Sequence, residues 1–64
     1  MKIDVAAVGR AMVNKGYNCS QLAKKARISM QTATRFAKRG GVSSPPTFYK
    51  VGKALGVEPS SLIL

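Results

Sequence analysis

The chain has 64 residues, enough for one domain over residues 1–64 and too few for a second. Eleven lysines and arginines stand against two acidic residues, so the net charge of +9 predicts a polyanionic partner, with nucleic acid favoured over an acidic membrane surface. One cysteine and no histidine exclude an internal disulfide and a structural zinc site, and they leave no acid–base or nucleophilic set. We therefore predict a cytoplasmic protein that is not an enzyme and that uses no metal and no cofactor.

The first helix is predicted to run from the N-cap Asp4 to about Lys15, where Gly16 ends it in a left-handed conformation. The apolar residues of this segment recur at helical spacing. One face of the helix is therefore expected to be buried through Val5, Val8 and Met12.

Two further helix signals are separated by one tight turn. Asn18 and Gln21 can form a capping box at the start of a helix over about 19–26. Ser29 is an N-cap for a third helix over 30–39, whose apolar stripe consists of Ala33, Phe36 and Ala37. Two short helices with one turn, within about residues 18–40, have the layout of a helix-turn-helix DNA reader.

The remaining residues predict two more helical segments. Ser44 and the two prolines after it begin a fourth helix, which Gly56 ends. A last helical turn starts at Pro59 and carries Leu62, Ile63 and Leu64, which either close the core or form a dimer contact. No alternating strand pattern is present, so we expect an all-α fold.

Several short motifs occur in a fixed order along most of the chain, from about Val8 to Leu62. They are Gly16 after the first helix, Leu22-Ala23 in the second, Ile28-Ser29 at the turn, Thr32 and Arg35 in the third, and the segment KVGKALGV at residues 50–57. In this order they resemble the Cro/C1 repressor family, the lambda-repressor-like domains. The resemblance implies a compact five-helix domain with the helix-turn-helix at helices two and three. It also implies a small repressor of phage or mobile-element type, acting in a bacterial or phage-infected cell.

Three positions depart from the family pattern. Arg27 occupies the turn where the family usually has glycine, and a positive φ there costs on the order of 1 kcal/mol unless the turn is rebuilt. Cys19 occupies the position where the family often has a glutamine that supports a phosphate contact. Either Gln21 takes over this role or the contact is absent. Arg39 stands where a glycine ends the third helix, and two glycines follow it.

The polar side of the third helix predicts the base contacts. At about 100° per residue, the side opposite the apolar stripe is centred on Gln31 and Arg35. In the major groove, glutamine can bond an adenine edge and arginine a guanine edge. Thr34 and Met30 are further predicted base contacts, through methyl groups that can meet a thymine methyl.

The DNA backbone would be held by basic side chains and by polar groups at the helix starts. Most of the basic residues lie between Lys24 and Lys53, and no acid lies between Asp4 and Glu58. The predicted phosphate contacts are Asn18, Ser20, Gln21, Lys24, Lys25, Arg27, Thr32, Lys38 and Arg39.

These observations predict a sequence-specific regulator that binds double-stranded DNA and represses by covering a promoter. One helix reads too few base pairs to select a genomic site, so we expect a homodimer, formed on DNA if not before, on palindromic half-sites about 34 Å apart. No membrane contact and no small-molecule effector are expected. Two alternatives stay open: a controller or antitoxin-type regulator of a restriction or toxin module, and an interaction module for an acidic partner such as a polymerase or another repressor.

Overall fold

Four helices and one 3-10 turn make up the fold, and the computed structural model describes residues 1–64. The elements are α1 (Val5–Lys15), α2 (Cys19–Ala26), α3 (Met30–Thr34, continued as a π-helix over Arg35–Arg39), α4 (Pro45–Leu55) and the 3-10 turn (Pro59–Leu62). The prediction of an all-α fold is confirmed, and the last expected helix is present only as the 3-10 turn. None of the helices combines the length and the apolar character that crossing a membrane requires.

Local capping explains where most of the helices begin and end. The Asp4 carboxylate accepts a hydrogen bond from the backbone N–H of the third residue after it, at 3.1 Å. Gly16 and Gly56 end α1 and α4 in the left-handed conformation, with φ of 70° and 69°. Ser44 precedes α4 in an extended conformation, but its hydroxyl lies 3.1 Å from the Thr47 hydroxyl and caps no backbone N–H.

The core is built around two phenylalanine rings. Phe36, from the π-helical continuation of α3, meets Phe48 of α4 edge to face, with ring centroids 5.2 Å apart and an interplanar angle of 71°. Leu62 is buried and closes the core, whereas Leu64 is 76% exposed. The other buried apolar residues are Ile3, Val8, Ala11, Met12, Leu22, Ala26, Ala33, Val51 and Leu55. In α1, Ala11 is thus buried and Val5, expected to be buried, is only half-buried.

An extended N-terminal segment, which the sequence does not predict, passes between two other parts of the chain. Lys2 pairs with Val42 and Ile3 pairs with Ile63, each as an isolated antiparallel bridge. The Ile3 N–H donates to the Gly41 carbonyl at 2.9 Å, which ties the segment to the loop after the third helix. The N-terminal segment therefore holds the loop that follows the third helix in place.

The third helix spans 30–39 as expected, but it is α-helical only as far as Thr34 and π-helical over Arg35–Arg39. The N–H of Gly40 donates to the Arg35 carbonyl, five residues back, at 2.7 Å. Gly40 and Gly41 both have positive φ, 77° and 99°, and they turn the chain out of the helix toward the pairing with Ile3. The last turn of the helix is widened to reach this exit.

Candidate nucleic-acid interface

The turn between α2 and α3 contains a residue in the left-handed conformation that is not glycine. Arg27 has φ 57° and ψ 49°, and its N–H bonds to the Ala23 carbonyl. The N–H of Ile28 bonds to the same carbonyl at 3.0 Å. The turn is therefore closed by the backbone, and the strain expected for a non-glycine residue is present.

Side-chain caps fix the starts of both helices. The predicted capping box is confirmed: Asn18 Oδ1 accepts from the Gln21 N–H, and Gln21 Oε1 accepts from the Asn18 N–H, both at 2.9 Å. Ser29 Oγ accepts from the Thr32 N–H at 3.1 Å and lies 2.9 Å from the Thr32 hydroxyl. Thr32, a predicted phosphate contact, thus has its hydroxyl engaged within the cap.

The capping box also decides which backbone donors at the start of α2 are free for an anion. The first N–H groups of a helix have no intrahelical partner. The N–H groups of Asn18 and Gln21 are used by the box, so the free donors of this first turn are those of Cys19 and Ser20. Asn18 and Gln21 can still contribute the NH2 groups of their side chains.

Gln31 and Arg35 share one polar depression on the third helix, and the rest of its lining is Thr32 and Arg39. Gln31 is exposed, while Arg35 is half-buried. The Nε of Arg35 is covered by surrounding atoms and has no hydrogen-bond partner. The depression contains no apolar and no acidic residue, so nothing in it competes for the guanidinium groups.

The π-helical turn changes which basic residue accompanies Gln31. On a regular α-helix, Lys38 would lie beside Gln31, and Arg39 would lie further round. A wider turn advances less than 100° per residue, so both side chains are rotated back. Arg39 consequently lines the depression with Gln31 and Arg35, whereas Lys38 lines a separate one with Met30 and Ala37.

The two predicted methyl contacts lie on the side of the helix near Lys38. Met30 is 50% exposed. The Thr34 hydroxyl donates to the Met30 carbonyl at 2.9 Å, so the methyl is the part of Thr34 that remains for a ligand. The depression beside Met30 extends to α1 and to the start of α2, where its lining includes Val13, Tyr17, Asn18, Cys19 and Ser20.

The remaining predicted phosphate contacts are solvent-exposed basic side chains: Lys24, Lys25, Arg27, Lys38 and Arg39. Lys50 and Lys53 of α4 were not among the predicted phosphate contacts, yet together with Tyr49 they share a depression with Lys25 and Arg27. The spacing of Lys50 and Lys53, three residues apart and outside the apolar stripe of α4, is the sequence signal that could have identified them.

No family model and no curated protein match the chain. Among solved structures it is similar to Phpd, determined with cadmium and complexed with hydroethylphosphonate (HEP). The two chains are 26% identical with a TM-score of 0.82, over 100% of this chain and 14% of that chain. This chain therefore corresponds to a small part of a much longer protein.

The similarity to Phpd contradicts the prediction that the protein is not an enzyme. A fold closely similar to this one occurs in Phpd, which was determined with cadmium and complexed with hydroethylphosphonate. The similarity extends over only 14% of the Phpd chain, so most of that protein has no counterpart in this chain. Within this chain, no three His, Cys, Asp or Glu residues lie together as a metal site.

Proposed function

We propose that the chain is a sequence-specific double-stranded DNA-binding regulator, a Cro-like repressor that occludes a promoter. α2 and α3 form its helix-turn-helix, and the 3-10 turn over Pro59–Leu62 stands in the place of the fifth helix. The observation that carries the proposal is the polar depression of Gln31, Thr32, Arg35 and Arg39 on a helix anchored by buried Ala33 and Phe36. An exposed amide beside two guanidinium groups is the chemistry that reads base edges in the major groove.

The base contacts divide between the two sides of the third helix. Gln31 would pair with an adenine edge, and Arg35 with guanine O6 and N7, each contributing about 1 to 3 kcal/mol of discrimination. Arg39 joins them as a third reader, because the widened turn places it in the same depression. Met30 and Thr34 present methyl groups to thymine on the other side.

Phosphate contacts would surround this reading surface. The free N–H groups at the start of α2 favour an anion through the helix dipole, and Lys38 borders the same depression. Lys24, Lys25 and Arg27 would hold the backbone near the other end of α2. Two copies on palindromic half-sites about 34 Å apart would supply the selectivity that one helix lacks.

A binding selection from random duplex DNA tests this function. We expect one sequence family to be enriched, and Gln31→Ala and Arg35→Ala each to relax preference at one or two positions. Lys24→Ala is the control, because loss of a phosphate contact weakens binding to all sequences alike. It should also lower the salt slope, the slope of the logarithm of affinity against the logarithm of salt concentration, by about one unit. Failure to enrich any duplex at moderate salt would contradict the proposal and favour the interaction-module alternative.

The similarity to Phpd supports a second candidate function. In this alternative, the chain is a helical domain of an enzyme-type protein whose basic depressions bind a small phosphonate. Titration of hydroethylphosphonate, with and without cadmium, into isotope-labelled protein distinguishes the two. Saturable shifts of the Arg35 and Arg39 signals at millimolar ligand would favour it, and unchanged spectra would contradict it.

A further inference from the structure

We propose that the cleft between α2 and α4 is a second surface for the phosphate backbone of DNA, separate from the reading helix. This inference rests on the proposed DNA-binding function. The cleft has a volume of about 460 Å³ and is lined by Lys25, Ala26, Arg27, Tyr49, Lys50, Lys53 and Ala54. We call it the α2–α4 cleft.

The cations of the α2–α4 cleft have no counter-charge within the lining. Four of its seven residues are lysine or arginine, and none is acidic. The two acids of the chain are Asp4, which caps α1, and Glu58, and neither contributes to the cleft. Like charges held this close repel one another, and a bound polyanion would relieve the repulsion.

The aromatic ring and the floor of the cleft complete a surface suited to an extended anion. Lys53 Nζ lies 5.7 Å from the centroid of the Tyr49 ring, a cation–π contact that restrains the ammonium group. Tyr49 is 57% exposed, and its hydroxyl can donate to a phosphate oxygen. Ala26 and Ala54 form a floor of small side chains, which leaves room for a close approach.

The composition of the cleft favours DNA over an acidic protein. Protein partners bind chiefly through apolar anchors seated in desolvated pockets, and two alanines and one tyrosine edge offer no such pocket. A phosphate chain needs only cations and hydrogen-bond donors. Arg27 also lies in the turn just before α3, so a DNA strand bordering the groove at the start of the reading helix would reach the cleft directly.

The test compares two double variants on the DNA site selected for the wild-type protein. Lys50→Ala/Lys53→Ala removes two cations from the cleft, and Lys2→Ala/Lys15→Ala removes two exposed cations elsewhere at the same net charge. Binding is measured against salt on a duplex limited to the selected site and on one extended at both ends.

For the cleft variant we expect binding to the extended duplex to weaken on the order of tenfold and the salt slope to fall by about two units. The control variant should change the salt slope by less than about half a unit. On the short duplex, the affinities of the two variants should differ less than on the extended duplex. Ala54→Glu, which places a carboxylate on the floor of the cleft, should reproduce the loss while circular dichroism shows an intact fold.

Two results would overturn the inference while leaving the proposed function standing. In the first, the wild type selects a DNA sequence but the cleft and control variants bind the extended duplex equally. In the second, a glutamate-rich peptide binds the wild type as tightly as DNA of equal charge and loses binding in the cleft variant, which would make the cleft a protein-binding surface. Absence of any DNA selection by the wild type would instead refute the proposed function itself.

Discussion

Arg27 combines a strained backbone with a charge that the proposed interface uses. Its φ of 57° is one that glycine adopts without penalty. Arg27→Gly should therefore raise the free energy of unfolding by about 1 kcal/mol, because the steric cost of the left-handed conformation is removed. It should also weaken DNA binding for all sequences alike. Urea unfolding followed by circular dichroism measures the first effect, and fluorescence anisotropy measures the second.

Arg27→Lys is the matched control, since it keeps both the side-chain charge and the left-handed backbone. Stability and affinity should both stay near the wild-type values. A glycine variant less stable than the wild type would show that the arginine side chain contributes more to the turn than its backbone strain costs.

The role of Thr34 depends on its methyl, because its hydroxyl is already bonded to the Met30 carbonyl. Thr34→Val keeps the methyl and should retain the preference for thymine at one position. Thr34→Ser removes the methyl and should lose about 0.8 kcal/mol of that preference, the contribution of one buried carbon. The two variants are compared by competition with duplexes that differ only by uracil for thymine. Equal discrimination by both variants would contradict the proposed contact.

At the scale of the elements, the packing of α4 against the 3-10 turn depends on a glycine. A Cβ at Gly52 would lie 2.8 Å from the Cα of Pro59, which is backbone and cannot move aside cheaply. Gly52→Ala should therefore destabilise the protein by about 1 to 3 kcal/mol through overpacking.

Gly9, in the middle of α1, is the control for the Gly52 substitution. Its Cβ would meet nothing within 4 Å, so Gly9→Ala should stabilise the helix by about 1 kcal/mol. The melting temperatures of the two variants should thus shift in opposite directions. A shift in the same direction would mean that helix propensity, and not the contact with Pro59, governs both positions.

The elements that the sequence predicted are those that local chemistry determines. The N-caps at Asp4, Asn18 and Ser29 and the left-handed ends at Gly16 and Gly56 each depend on a few neighbouring residues. The helix bounds followed from them almost without change. The isolated bridges did not, because single pairs between distant segments leave no periodic pattern in the sequence.

The candidate site was also predictable only where local sequence determines it. The exposure of Gln31 and the burial of Phe36 follow from helical periodicity. The positions of Lys38 and Arg39 do not, because a wheel drawn for an α-helix cannot anticipate a π-turn imposed by the exit at Gly40. The α2–α4 cleft could not be predicted either, since its cations come from two helices that meet only in the folded molecule.

At the scale of the whole molecule, charge is the dominant feature. A net charge of +9 is carried by a domain whose principal extents are 24, 20 and 18 Å. These extents are about twice the Debye length of about 10 Å at 0.1 M salt, but they lie within the Debye length of about 30 Å at 0.01 M salt. Most of the cations therefore repel one another across the fold in dilute buffer. The core of twelve buried apolar residues has to hold the fold together against this repulsion.

This repulsion predicts that added salt stabilises the protein. Raising sodium chloride from about 0.01 M to about 1 M shortens the Debye length from about 30 Å to about 3 Å, which screens nearly all pairs of exposed cations. We expect a gain of about 1 kcal/mol, equivalent to an increase of about 4 to 8 °C in melting temperature for a domain of this size. Lys50→Ala/Lys53→Ala should melt at a higher temperature than the wild type in dilute buffer and respond less to salt, because it removes two of the four cations that line the α2–α4 cleft. A melting temperature that is constant or falls with salt would show that the cations are already compensated within the folded chain.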